Sequence, residues 1–242
     1  GGDVPISQSM PASEATGTLD LRRAVATVRH PQRRDTTIRV LSDRNVVLIR
    51  GPVEVALEAI SLPSLPAPKI GETDGIEWFH MVLPGDVDYA GMAYALAVAR
   101  EGDLKAVSLV TSFDDGNGDV LQRAIALTRD TIRQKEAELV ATHEQAWNSY
   151  WSRSGVHLED EVLQRWWYRM LYFARTVCKP GAAPVGIMPP LATDNTPWHA
   201  DYHHNYNSWQ AFWPLPAANH PELADPWISF NHSSVNPGYS SG

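Results

Sequence analysis

The sequence predicts an α+β protein with an antiparallel β region, a long linker helix and a helical C-terminal region. Runs rich in Val, Ile and Leu, some alternating with period two, fill residues 18–112 and indicate strands. From residue 119 to residue 151, apolar residues recur at three- and four-residue steps, which indicates a helix. Tryptophan use also changes along the chain, because only Trp78 precedes residue 147 and the other eight lie between 147 and 227. We therefore divide the chain into residues 1–113, 114–155 and 156–242.

The β region is predicted from short runs separated by turn residues such as Ser42-Asp43 and Gly51-Pro52. The runs are TLDLRRAVATV, TTIRVLSD, NVVLIRG, VEVALEAI, GIEWFHMVLP and MAYALAVAREGDLKAVSLVTSF. The last run resembles a hairpin that turns around Glu101-Gly102-Asp103, and the Pro-rich stretch SLPSLPAPKIGETDG is predicted as a surface loop. Several strands at this spacing are typical of a β-sandwich, so we predict part of such a domain over residues 1–113.

Helices are predicted after the Gly- and Asp-rich break FDDGNGD. The first runs from about 119 to 151 and would span about 45 Å at 1.5 Å per residue. A second begins at HLEDE, where acidic residues suit the positive helix end, and stops at Lys179-Pro180-Gly181. Its apolar arc is broad, and we expect part of this arc to be left exposed. A third helix is predicted from about Asn207 to Phe212, after a long loop over residues 180–202.

Composition excludes several classes of function. The net charge of -8 argues against a nucleic-acid partner or an anionic membrane surface. No run of about 18 apolar residues is present, so no membrane-spanning helix is expected. The single cysteine, Cys178, excludes a disulfide framework and is interpreted as a half-buried thiol at a helix end. The chain begins without an initiator Met or a signal peptide, and we expect it to be a segment of a longer protein.

The stretch WHADYHHNYNSWQAFWP, residues 198–214, contains three histidines and three tryptophans but no lysine or arginine. One hypothesis is a metal site in which His199 joins His203 or His204 with an oxygen from Asp194 or Asp201. The spacing does not favour it, since no H-x-x-x-H or H-x-H pattern occurs. We therefore expect no metal and no cofactor.

A second hypothesis is a carbohydrate site, because amides and imidazoles suit sugar hydroxyls and indoles suit the apolar C–H faces. Asn205 and Asn207 flank one residue, so in an extended stretch both side chains would face the same way. Two neutral amides on one side could orient a water without adding charge. From the residues alone, both asparagines could equally be helix caps or turn formers.

The run NYNSWQAFWP resembles the N-x-N-x-x-x-x-x-W-P signature of glycoside hydrolase family 95, the α-L-fucosidase and α-L-galactosidase family. The preceding PWHADYHH is similar to the lead-in of that family. The resemblance implies the end of an N-terminal β-sandwich, a helical linker and the first helices of an (α/α)6 barrel. Two departures are visible: WQAFW stands where the family usually has QMNYW, and MPPLATDN stands where the family has a G-x-W step.

The resemblance implies roles for particular residues. Asn205 and Asn207 would position the water that attacks the anomeric carbon, and the acidic partners of this chemistry would lie beyond residue 242. The substrate-binding residues would be His203, Trp198, Trp213 and His199.

The resulting expectation is an inverting glycoside hydrolase acting on an oligosaccharide or glycan with α-L-fucosyl or related bonds. This segment alone is expected to be inactive, and the resemblance implies a secreted or periplasmic protein. A catalytically inactive carbohydrate-binding relative is the alternative, and a His-metal protein is the third. The sequence does not indicate the oligomeric state.

Overall fold

The computed structural model describes residues 15–58, 65–85, 87, 91–114, 119–187, 198 and 206–235. The chain divides into two compact units, Gly1–Asn148 and Ser149–Gly242, called the sheet unit and the helical unit below. The α+β class predicted from the sequence is confirmed, because strands fill the first part of the chain and helices the second.

Eight strands of the described residues form one antiparallel sheet in the order β1-β2-β3-β4-β8-β7-β6-β5. The strands are β1 (Thr16–Asp20), β2 (Val25–His30), β3 (Arg33–Val40), β4 (Val46–Arg50), β5 (Lys69–Thr73), β6 (Ile76–Leu83), β7 (Met92–Glu101) and β8 (Leu104–Thr111). The antiparallel β region predicted before about residue 113 is therefore confirmed, as is the hairpin, in which Glu101 pairs with Leu104. Gly102 takes a positive φ of 55° in its turn, a conformation that glycine adopts without a steric cost.

Three details of the predicted β region were wrong. The run TLDLRRAVATV is a hairpin and not one strand, because the Asp20 carboxylate accepts hydrogen bonds from the amides of Arg22 and Arg23 and turns the chain. The stretch predicted as a Pro-rich loop contains the edge strand β5. Residues 53–58, predicted as a strand, pair with no neighbour, although their buried and exposed side chains do alternate.

The core of the sheet unit lies on both faces of β7 and of its neighbour β8. Small residues of β7, among them Ala95 and Ala97, leave room for the first helix to pack against one face. Phe79 and Leu96 belong to a separate hydrophobic cluster, which does not include these alanines. Burial of β7 on both faces explains why its sequence is an almost continuous apolar run.

The linker region contains two helices, α1 (Val120–Ile132) and α2 (Glu136–Trp151), so the prediction of one long helix was wrong. The apolar stripe lapses between Ile132 and Leu139, where a continuous helix would place Lys135 or Glu136 on the buried side. At this break, the backbone amide of Gln134 donates to the carbonyl of Thr131, three residues back. The gap in the stripe was therefore a readable signal for the break.

The remaining helices are α3 (Glu161–Val177), α4 (Tyr206–Trp209), α5 (Pro214–Ala217), a 3-10 turn (Pro221–Ala224) and α6 (Asp225–Val235). The start predicted for α3 is confirmed, because Asp160 caps it by accepting from the amides of Val162 and Leu163. The helix predicted over 207–212 is shorter than expected. Its last four-residue hydrogen bond is donated by the Gln210 backbone amide, and the Phe212 backbone amide donates to the Trp209 carbonyl three residues back instead.

Among the described residues, no helix has the length and apolar character needed to cross a membrane.

Candidate functional site

Three of the six predicted site residues fall within the described part of the chain. Asn207 lies in α4 with an exposed side chain, and Trp213 lies in the turn that follows. Trp198 is exposed and has a φ of 51°, unusual for a residue with a Cβ atom. The other three predicted residues, Asn205, His203 and His199, lie outside the described residues. The expected grouping of the two asparagines with His203 therefore stays a prediction.

Three aromatic side chains of the segment that contains Asn207 form ring contacts at the protein surface. The ring centroids of Trp209 and Trp213 are 5.1 Å apart, and those of Tyr206 and Trp213 are 5.7 Å apart in an edge-on arrangement. The exposed fractions are 51% for Tyr206, 37% for Trp209 and 55% for Trp213. We call these three side chains the aromatic surface. Its members expose ring area that a protein core would normally bury.

The opposite side of the same segment anchors it to the helical unit. Ser208, Phe212 and Leu215 are buried. Phe212 stacks on Trp227 of α6, with ring centroids 5.7 Å apart and an angle of 14° between the ring planes. The segment therefore separates its aromatic residues into one anchoring ring and three exposed rings.

The segment that carries the aromatic surface has only neutral polar side chains. Residues 206–219 include no lysine, arginine, aspartate or glutamate, and their exposed polar side chains include the amides of Asn207, Gln210 and Asn219. Amides both donate and accept hydrogen bonds without carrying a charge. This combination suits a neutral, hydroxylated ligand that also presents an apolar face.

A second polar cluster lies in the interior of the helical unit, and the sequence analysis missed it. The His220 ring is fully buried and stacks on the Tyr150 ring, with centroids 3.9 Å apart. Arg175 lies over the same tyrosine ring at 4.6 Å from its centroid, and the Tyr150 hydroxyl donates to the Leu171 carbonyl. No local motif indicates this arrangement, because His220 and Tyr150 are far apart in the sequence.

The cluster also contains an ion pair. Arg153 donates to the Glu222 carboxylate at 2.7 Å, and the same oxygen lies 3.4 Å from Nδ1 of His220. Burial lowers the pKa of His220 more than Glu222 raises it, so the imidazole is neutral at pH 7. Burial opposes ionisation of Glu222, but hydrogen bonds from its own backbone amide and from Arg153 lower its pKa overall.

This second cluster therefore has a structural role. An ionised Glu222 cannot donate a proton as a general acid, and its hydrogen bonds hold the 3-10 turn next to residues 150–153. Cys178 is buried, and burial raises the pKa of its thiol to about 11, so the thiol stays protonated and unreactive. The predicted helix-end position of this thiol is confirmed, although it is more buried than expected.

Among the residues that the structure describes, no group of three or more His, Cys, Asp or Glu side chains is placed to hold a metal ion. The residues of the alternative metal hypothesis all fall outside that part of the chain: they are Asp194, His199, Asp201, His203 and His204.

No family model matches this chain, and no curated protein matches it. Among solved structures, the chain is similar to a human-microbiome protein assigned as a kojibiose phosphorylase, at 12% sequence identity and a TM-score of 0.48. The similarity covers 68% of this chain and 27% of that protein, so the chain spans about a quarter of that protein's length.

Proposed function

We propose that this chain belongs to an inverting glycoside hydrolase that cleaves α-L-fucosyl or related bonds. The observation that supports the proposal is the exposed side chain of Asn207 in the same segment as the aromatic surface, because this segment carries no charged side chains. The order of a β region, linker helices and a helical unit agrees with the family that the sequence resembles.

In the proposed reaction, Asn205 and Asn207 hold the attacking water. An amide oxygen accepts a hydrogen bond from this water, and an amide NH2 group donates one to it, so a lone pair is aimed at the anomeric carbon. The water oxygen bonds to that carbon as the glycosidic C–O bond breaks. A carboxylic acid protonates the leaving oxygen, and a carboxylate removes the proton of the water. Inversion requires these two groups to be about 6.5–9.5 Å apart.

A catalytically inactive carbohydrate-binding relative is the second candidate. The aromatic surface and its neutral amides favour glycan binding whether or not the acidic partners exist. In this candidate, Asn207 contributes a hydrogen bond to the bound sugar and not to a reacting water.

The stereochemistry of the product tests the proposal. The intact protein that contains this chain is incubated with an α-L-fucoside in deuterated buffer, and the anomeric proton signals are followed by NMR before mutarotation. We expect β-L-fucose to form first, because the water attacks from the face opposite the leaving group. Initial release of α-L-fucose would contradict the inverting mechanism. Binding of the fucoside without any cleavage would favour the inactive relative.

A further inference from the structure

The aromatic surface extends beyond the residue that the sequence analysis assigned to a sugar. Trp213 was expected to bind substrate, whereas Tyr206 and Trp209 had no assigned role. Both rings contact the Trp213 ring, and both residues lie in the same four-residue helix as Asn207. A ligand that stacks on Trp213 would therefore also reach these two rings.

The described residues of the helical unit leave these three rings exposed. Phe212, in the same segment, is buried and stacks on Trp227, so an aromatic ring in this region does have an interior to occupy. Three neighbouring rings that instead contact one another at the surface leave a contiguous apolar area in water. Such an area costs free energy on its own and is typical of a binding site.

The charge pattern restricts what this area binds. Residues 206–219 offer no cation to pair with an anionic ligand and no anion to pair with a cationic one. The chain as a whole has a net charge of -8, which repels anionic ligands. A pyranose ring presents an apolar C–H face to an indole and hydroxyls to an amide, and it carries no charge unless it bears a carboxylate, sulfate or amino group.

We propose that Tyr206, Trp209 and Trp213 form a stacking subsite for one uncharged sugar ring, with Asn207 and Gln210 beside it to hydrogen-bond the hydroxyls. The subsite selects neutral sugars over acidic ones, because a carboxylate would lose hydration here without gaining a cationic partner. The proposed function supplies the substrate class for this inference, but the test below measures binding and not turnover.

The test uses two trisaccharides built on the same lactose core. The probes are 2′-fucosyllactose, which is neutral, and 3′-sialyllactose, which carries a carboxylate. Ligand-observed NMR titrations with the 242-residue chain give the dissociation constant of each. We expect 2′-fucosyllactose to bind at least about 10-fold more tightly, with an affinity that changes little between low and high salt. Equal or tighter binding of 3′-sialyllactose would overturn the proposed selectivity.

Variants identify the rings that make the contact. Trp209→Ala and Tyr206→Ala are each expected to weaken 2′-fucosyllactose binding about 3- to 10-fold, because each removes one stacking face. Trp209→Phe should recover part of the loss. Trp166→Ala is the matched control, since Trp166 is an exposed tryptophan on α3 of the same unit and is not part of the aromatic surface. Both alanine variants should keep the circular dichroism spectrum of the parent chain.

The outcomes separate this inference from the proposed function. Binding that is lost in Trp209→Ala, together with an intact protein that cleaves no glycoside, would remove the enzymatic proposal and leave the subsite standing. Unchanged binding in both the Trp209→Ala and the Tyr206→Ala chains would overturn the subsite, even if the intact protein were an active inverting hydrolase. If neither trisaccharide binds to the parent chain, the proposed subsite is also overturned.

Discussion

Helices α1 and α3 share two sequence features but differ in how much of each helix is buried. Each begins at an aspartate cap, Asp119 or Asp160, and each carries an apolar face. The residues of α1 that are buried in the sheet unit are Val120, Ala124, Ile125, Thr128 and Thr131. In α3, which is longer and described throughout, Leu171 is the one buried residue.

The difference between the two helices shows what hydrophobic periodicity does and does not predict. Periodicity predicts that a helix forms and which of its faces is apolar. Whether that face is covered depends on what packs against it. The exposed residues of α3 include Val162, Leu163, Trp166 and Met170, which confirms the expectation that part of its arc is left uncovered.

The largest expected difference between the units concerns leucine substitutions. Leu48 of β4 is 1% exposed within the sheet-unit core, whereas Leu163 of α3 is 59% exposed. Leu48→Ala should lower the free energy of unfolding by about 2–5 kcal/mol, since it removes packed atoms and leaves a cavity. Leu163→Ala should change it by less than about 0.5 kcal/mol.

Urea unfolding followed by far-ultraviolet circular dichroism compares the two variants with the parent chain. Equal losses of stability would contradict the comparison, because they would mean that Leu163 of α3 is buried to the same extent as Leu48 of the sheet.

Acidification should destabilise both units through one buried histidine in each. Burial lowers the pKa of His143 in the sheet unit, and the carbonyls of Arg23 and Ala24 offset only part of this effect. Burial also lowers the pKa of His220 in the helical unit. In the unfolded chain both histidines titrate near their ordinary pKa of about 6.5. Below that pH the unfolded chain binds more protons than the folded chain, so stability is lost as the pH falls from about 7 toward the folded pKa values.

The loss should not exceed about 1.4 kcal/mol per pH unit for each histidine. Replacement of His143 by glutamine, which keeps a donor and an acceptor for Arg23 and Ser42, should reduce the loss measured between pH 7.5 and pH 5.5. His220→Gln is the matching variant for the helical unit. A parent chain that becomes more stable over this pH range would contradict the account of both histidines.

Sequence patterns predicted which residues of the sheet unit are extended better than they predicted which segments pair with one another. The alternation over residues 53–58 gave the buried and exposed sides correctly, but no strand pairs with them. The backbone there has another partner, since the Arg100 guanidinium donates to the Val55 carbonyl. A contact with a side chain of a distant strand cannot be predicted from the local sequence.

The candidate site was predicted from a motif, and a motif gives residue types without their surroundings. Asn207 and Trp213 were identified, and both are exposed. Tyr206 and Trp209 were missed as site residues because an aromatic at helical spacing is usually a core residue. Only the structure separates the exposed rings from the buried Phe212. The pairing of His220 with Tyr150 depends on the tertiary fold and could not be predicted either.

We propose above all that the exposed amide of Asn207 acts on a reacting water. The most direct measurement is the kcat and KM of Asn207→Ala in the intact protein, with Asn148→Ala as a control because Asn148 is also an exposed asparagine in a helix, α2. We expect kcat to fall about 100-fold or more with little change in KM, since an amide that orients the water acts mainly in the transition state. The control should keep the parent values. An Asn207→Ala enzyme with the parent kcat, or with an increase in KM alone, would contradict the claim.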